Sequence, residues 1–121
     1  MIRNLEFFEK KNGSCPVEEF LESLDKKTKQ KTVAVFELIA SLPSVPKKFL
    51  KRLIATDGLW EIRVEYHSNI YRFPCFFYKN NVMVLTHGFQ KKTDKTPPGE
   101  IRMAGKYKCE YIEWRKSHEK I

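Results

Sequence analysis

The sequence predicts an α+β domain: an antiparallel sheet of about four strands, with two helices before its main part and one after, in the order β-α-α-β-β-β-α. Three observations carry that expectation. From Leu59 to Tyr66 apolar and charged residues alternate one for one, with Trp60, Ile62, Val64 and Tyr66 on one face and Leu59, Glu61, Arg63 and Glu65 on the other, the signature of a half-buried strand. Two further runs follow after short turn signals, Ile70 to Tyr78, rich in aromatic and β-branched residues, and Val82 to His87, an apolar run between Asn80-Asn81 and Gly88, so the three strands pair antiparallel. On either side of them apolar residues recur at steps of three and four, as in helices that cover a sheet.

Taken in order, Ile2 to Phe8 reads as a first strand, because Leu5 and Phe7 alternate with Asn4 and Glu6, and Lys10 to Ser14 is a turn. Pro16 suits a first helical position, and Glu18 and Glu19 suit the positive end of the helix dipole. A helix from Pro16 to about Leu24 then buries Val17, Phe20, Leu21 and Leu24. Asp25 caps a second helix, Lys26 to about Ser41, with Val33, Phe36, Ile39 and Ala40 as its apolar stripe. Pro43 and Pro46 end it. Lys47 to Ala55 is a short helical or irregular lead-in to the sheet, and Thr56 to Gly58 a turn. After the sheet Thr96 is the expected cap, Pro97 the first helical position, and the last helix runs to about Lys116 with Ile101, Ala104, Tyr107, Tyr111 and Trp114 inward.

At 121 residues the chain has room for one core, so residues 1–121 are expected to form a single domain. Apolar content of 41% places it among folded proteins. No apolar run approaches the roughly 20 residues of a membrane span and the N-terminus lacks signal-peptide form, so a cytoplasmic protein without a membrane partner is expected. Cys15, Cys75 and Cys109 have no metal-ligand spacing and read as free thiols, with Cys75 in the core. The formal charge of +8 is uneven: Lys26 to Thr56 carries eight Lys or Arg against Glu37 alone. That surface suits either a polyanion or plain solubility. No zinc motif, P-loop, nucleophile elbow or dinucleotide-binding glycine pattern is present, nor the paired carboxylates of a glycosidase.

Register decides which groups meet. A two-residue turn at Ser68-Asn69 puts Arg72 across from Glu65, Pro74 from Arg63 and Phe76 from Glu61, with Tyr71, Phe73, Cys75 and Phe77 joining Trp60 as core. A three-residue turn would send Arg72 into that core without a partner. An Asn80-Asn81 turn puts His87 across from Pro74 and Phe89 across from Arg72. One face of the sheet thus gathers Glu61, Arg63, Arg72 and His87, with Lys91 and Lys92 just beyond. Cutting RNA through its own 2′-hydroxyl needs a base, an acid and cations for the charge on phosphorus. Arg63 and Arg72 suit the phosphate, His87 or a lysine the protons, and Phe89, if exposed, a base to stack on. Each has a plainer reading: Arg72 paired with Glu65, Arg63 with its flanking glutamates, His87 as a hydrogen-bonded strand end, and Phe89 as core.

The segments GLWEIRVEY, IYRFPCFFY and VLTHGFQKKTDKTPPGEI, after PVEEFLESLDKKTK, resemble the phage-derived branch of the RelE/HigB toxin superfamily over essentially the whole chain. The resemblance implies a RelE-like microbial-ribonuclease architecture. It further implies an mRNA endonuclease that inhibits translation, often at the ribosomal A site, with no metal or other cofactor. The implied partners are mRNA, the ribosome and a cognate helix-turn-helix antitoxin, with operator DNA reached only through the antitoxin. Carried onto this chain, the arginine of LWEIR is Arg63 and that of YR is Arg72, with Lys91, Lys92 and Lys95 in the basic segment after the last strand. Glu61 stands where some relatives have a second basic residue, and the acting C-terminal tyrosine of some members has no counterpart. His87 as a catalytic group, and Phe89 and Glu61 as RNA contacts, come from the strand geometry. Relatives on the same fold that poison gyrase, or that only bind an antitoxin, remain alternatives.

Overall fold

A computed structural model describes residues 2–79, 81–91 and 95–119. The elements follow as β1 (Asn4–Phe7), α1 (Pro16–Ser23), α2 (Lys26–Ser41), β2 (Leu50–Arg52), β3 (Leu59–Tyr66), β4 (Asn69–Tyr78), β5 (Val82–Leu85), β6 (Phe89–Gln90) and α3 (Pro98–His118). The α+β class is as expected, but the sheet is mixed and has six strands. Its order is β1-β5-β4-β3-β2, with β6 on β4, and β1 runs parallel to β5. The two additions were easy to miss: β2 is three residues long and β6 two, too short for an alternation to register.

Helices cover both faces. On one, Val17, Leu21, Val35, Phe36 and Ile39 of α1 and α2 pack on Ile62, Val64, Tyr71, Phe73, Cys75, Met83 and Leu85. On the other, Ala104, Tyr107 and Tyr111 of α3 pack on Phe8, Leu53, Leu59, Phe76 and Val84. Central β4 is therefore buried from Tyr71 through Phe76 without alternation. The Asp25 cap forms as expected, its carboxylate accepting from the Thr28 N–H at 2.8 Å. The α2 stripe is rotated from the expected one. Val33 is exposed, and Thr28, Thr32 and Val35 are buried beside Phe36, Ile39 and Ala40. Thr32 fits there because its hydroxyl donates to the Thr28 carbonyl. Phe77 and Trp114, expected inside, are exposed as well.

The β3–β4 pairing lies two residues from the expected one. His67 and Ser68 form the turn, both at positive φ (51° and 66°), so that Tyr66 faces Asn69. A shift of two keeps every side chain on its face and changes only the partners: Arg63 lies opposite Arg72, Glu61 opposite Pro74, and Leu59 opposite Phe76. Between β4 and β5 Tyr78 faces Val82, one residue from the expected pairing, while Asn80 of the expected turn lies outside the described residues. The expected register returns at β6, where Phe89 faces Arg72.

The extra residue is taken up at Thr86 to Gly88. Pro74 accepts from the Thr86 N–H at 2.9 Å but has no N–H to give back, so the ladder opens there. Gly88 lies against aromatic rings; a Cβ on it would stand 2.5 Å from Phe20 and 2.6 Å from Phe73. Gly88→Ala should therefore destabilise the protein by about 1–3 kcal/mol through overpacking, measured by urea unfolding.

Candidate functional site

On the α3 side of the sheet the strands form rows of decreasing burial. Leu59, Phe76 and Val84 lie beneath α3. Glu61 and Pro74 are buried in the next row, Arg63, Arg72 and Phe89 follow, and Glu65, Ile70 and Lys91 end the face toward solvent. The guanidinium pair sits where the cover ends.

Arg63 and Arg72 face each other directly, which alone would be repulsive. Glu61 resolves it. Its Oε1 accepts from Arg72 Nη1 at 3.1 Å and lies 4.0 Å from Arg63 Nε, while Oε2 accepts from the Thr96 hydroxyl. The plainer reading of Arg72, a pair with Glu65, is thus replaced by Arg72–Glu61: the true register puts both glutamates diagonally across from Arg72, and the buried one, Glu61, is its partner. Glu61 and Arg72 are each 1% exposed, so a carboxylate with few solvent contacts is matched to a guanidinium with few. The Arg63 side chain is 19% exposed, and its Nε is buried with no hydrogen-bond partner among the described residues. Two cations therefore share one carboxylate, and Arg63 is the one that reaches the surface.

His87 lies deeper than its expected position across from Pro74. Its Nε2 is 3.0 Å from Glu100 Oε1 in the first turn of α3, its Nδ1 is 3.0 Å from Thr86 Oγ1, and its ring stacks on Phe89 with centroids 5.8 Å apart. A carboxylate only accepts, so a proton belongs on Nε2, while the single Thr86 hydroxyl hydrogen has two acceptors in reach, His87 Nδ1 at 3.0 Å and the Pro74 carbonyl at 3.1 Å. Burial pushes the His87 pKa down against the opposing pull of Glu100. An imidazole with both nitrogens engaged ties the start of α3 to the sheet. Phe89 is buried too, so its ring is part of the packing and is not offered to a stacked base.

Lys91 is exposed on the same face as Arg72, and Lys95 is exposed just before α3. Lys92 lies outside the described residues. Thr96, the expected cap, gives its hydroxyl to Glu61 instead; Pro97 caps α3 and Pro98 begins it. Lys51 was not expected here. It lies opposite Glu61 on β2, exposed and on the site face. Only the LKR fragment marked it, and three residues do not reveal a strand. A groove of about 780 Å³ lies elsewhere, between the residues after β1 and the outer part of α3, with Phe8, Tyr111 and Trp114 among its walls. Among the described residues no group of three or more His, Cys, Asp or Glu is placed to hold a metal ion. None of the helices described is long and apolar enough to cross a membrane.

Two outcomes follow from this geometry. Glu61→Ala removes the buried carboxylate that lies between the two facing guanidinium groups and should lower the unfolding free energy by about 3 kcal/mol, read from denaturant melts. The folded His87 pKa lies below its unfolded value of about 6.5. The unfolded chain then binds more protons as pH falls, so this residue's contribution is full above that value and is lost below it. In His87→Gln that part of the acid-side slope of stability should vanish, as measured by urea unfolding across a pH series.

Comparison with known proteins adds the lineage. A family model described as "Phage derived protein Gp49-like (DUF891)" matches residues 19–108. Among solved structures, an archaeal RelE–RelB complex from Pyrococcus horikoshii OT3 is similar at 20% identity with a TM-score of 0.49, covering 78% of this chain and 100% of that one. No curated protein sequence matches. Since the family model takes in both β3 and β4 with their arginines and well over half of the chain, this protein belongs to the Gp49-like phage-derived family, a family of RelE/HigB-type toxins.

Proposed function

We propose that this chain is the toxin of a toxin–antitoxin pair and arrests translation in the cytoplasm by cutting mRNA, with a cognate antitoxin, of helix-turn-helix type, holding it inactive. The observation that carries this reading is the pair of opposed arginines sharing one carboxylate at the edge of the α3 cover. Such an arrangement holds the partly exposed Arg63 guanidinium at a fixed point that opens to solvent. It suits a phosphate, whose attack by the neighbouring 2′-hydroxyl builds negative charge on the non-bridging oxygens. In this reading Arg63 contacts the scissile phosphate. Arg72, anchored by Glu61, adds positive potential from behind, and neither needs a metal ion.

Proton transfer goes to the exposed Lys91 and Lys95 or to Lys92, which follows Lys91 in the sequence, rather than to His87. Both His87 nitrogens already have partners, and its role is to position α3 over the site. The same enclosure of His87 and Arg72 favours the other reading, a relative that binds its antitoxin without cutting RNA.

Induction of the chain without an antitoxin, followed by primer extension on cellular mRNA, separates the two. New cleavage ends with unbroken DNA are expected; intact mRNA overturns the nuclease reading, and gyrase-linked DNA breaks would replace it with that of a gyrase poison. Arg63→Ala should reduce cleavage by about a hundredfold or more while the thermal transition barely moves, since Arg63 is the partly exposed member. Arg72, being buried, gives no such clean test.

A further inference from the structure

The turn before β2 and β2 itself form a strip of cations of which the site described above includes only Lys51. From Leu38 to Thr56 the chain has no acidic residue, and Lys47, Lys48, Lys51 and Arg52 are all exposed. None of the salt bridges among the described residues involves Lys47, Lys48 or Lys51; the Lys48 ammonium lies over the Phe49 ring, 4.9 Å from its centroid, a cation–π contact with no carboxylate in it.

Backbone pairing fixes Lys51 and the backbone of Phe49 beside the arginines, and Lys47 and Lys48 immediately precede them in the chain. Arg63 N–H donates to the Phe49 carbonyl at 2.8 Å, and Lys51 faces Glu61, one row from Arg63 on the same face. One row is about 7 Å along a strand and one strand about 5 Å across, which is the scale of successive phosphates on a single strand. Because β2 is the outer strand of the sheet order, nothing in the sheet lies beyond it.

We propose that the β2 edge is a second RNA-backbone track continuous with Arg63, in which Lys47, Lys48 and Lys51 take phosphates flanking the one held by the arginine. Arg52 points to the other face and is outside the track. The inference rests on the reading of the Arg63 site as an RNA site, and its ligand is single-stranded RNA recognised through its phosphates, not through its bases. Such a track makes affinity depend on RNA length and salt but not on sequence.

The test uses purified full-length protein and uncleavable 2′-O-methyl RNA, with binding followed by fluorescence anisotropy at several salt concentrations. For an RNA of about twelve nucleotides, the combined variant Lys47→Gln, Lys48→Gln, Lys51→Gln should lower the slope of log affinity against log salt by about 2, at roughly 0.7 for each lost phosphate contact. Affinity for a dinucleotide of the same chemistry should stay within about twofold, because it reaches only Arg63. Lys51→Gln alone should lower the slope by about 0.7, which covers the case in which the triple variant folds poorly. Unchanged slopes in both variants overturn the track, as does a loss seen with duplex DNA and not with RNA. Arg63→Gln should weaken both lengths; if it changes neither while the lysine variants lower the slope, the track stands and the Arg63 site reading falls.

Discussion

Glu61 sits between two arginines that the register of β3 and β4 forces together, and the rest of the site depends on that one carboxylate. Without it the opposed guanidinium groups would repel in a place that water hardly reaches. With it, one arginine becomes a fixture of the interior and the other a surface group with a fixed origin. The second oxygen of Glu61 is held by Thr96, so the chain entering α3 is fastened to the same point. His87 and Glu100 fasten it again one turn later. The helix that covers half of the sheet face and the cations at the end of that face are thus one assembly.

Much of this could be read in the chain beforehand, and the reason is the period of a strand. Side chains alternate strictly, so Glu61, Arg63 and Arg72 share a face in either of two registers that differ by two residues, and the face assignment survived an error in the turn. What a sequence does not carry is the choice between those registers. It rested on His67 and Ser68 accepting positive φ, which neither residue advertises as Gly or Asn would. The wrong partner for Arg72 followed directly. The Asp25 cap and the bounds of α2 were legible because they depend on local hydrogen bonds. The depth of His87 and Phe89 was not, because it depends on where α3 comes to rest, a matter of packing between segments distant in the chain.

Charge and shape point to different parts of the surface. The groove beside Trp114 is a concavity of about 780 Å³, yet its walls mix Glu6, Glu9, Glu110 and Glu113 with Lys10 and Lys11. The arginines lie on a more open part of the sheet. A small apolar ligand would favour the first place, a flexible polyanion the second, since a phosphate chain needs spaced cations more than enclosure.

The brevity of β2 has a consequence for how the molecule keeps to itself. An outer strand offers unpaired N–H and C=O groups on which another chain can template, and here that strand is three residues long with Lys51 and Arg52 on it. Two copies brought edge to edge would set like charges against each other before a ladder could form. Residues that attract a nucleic acid strand therefore also keep sheets of neighbouring molecules from joining, and neutralising them removes a guard against self-association along with any grip on phosphate.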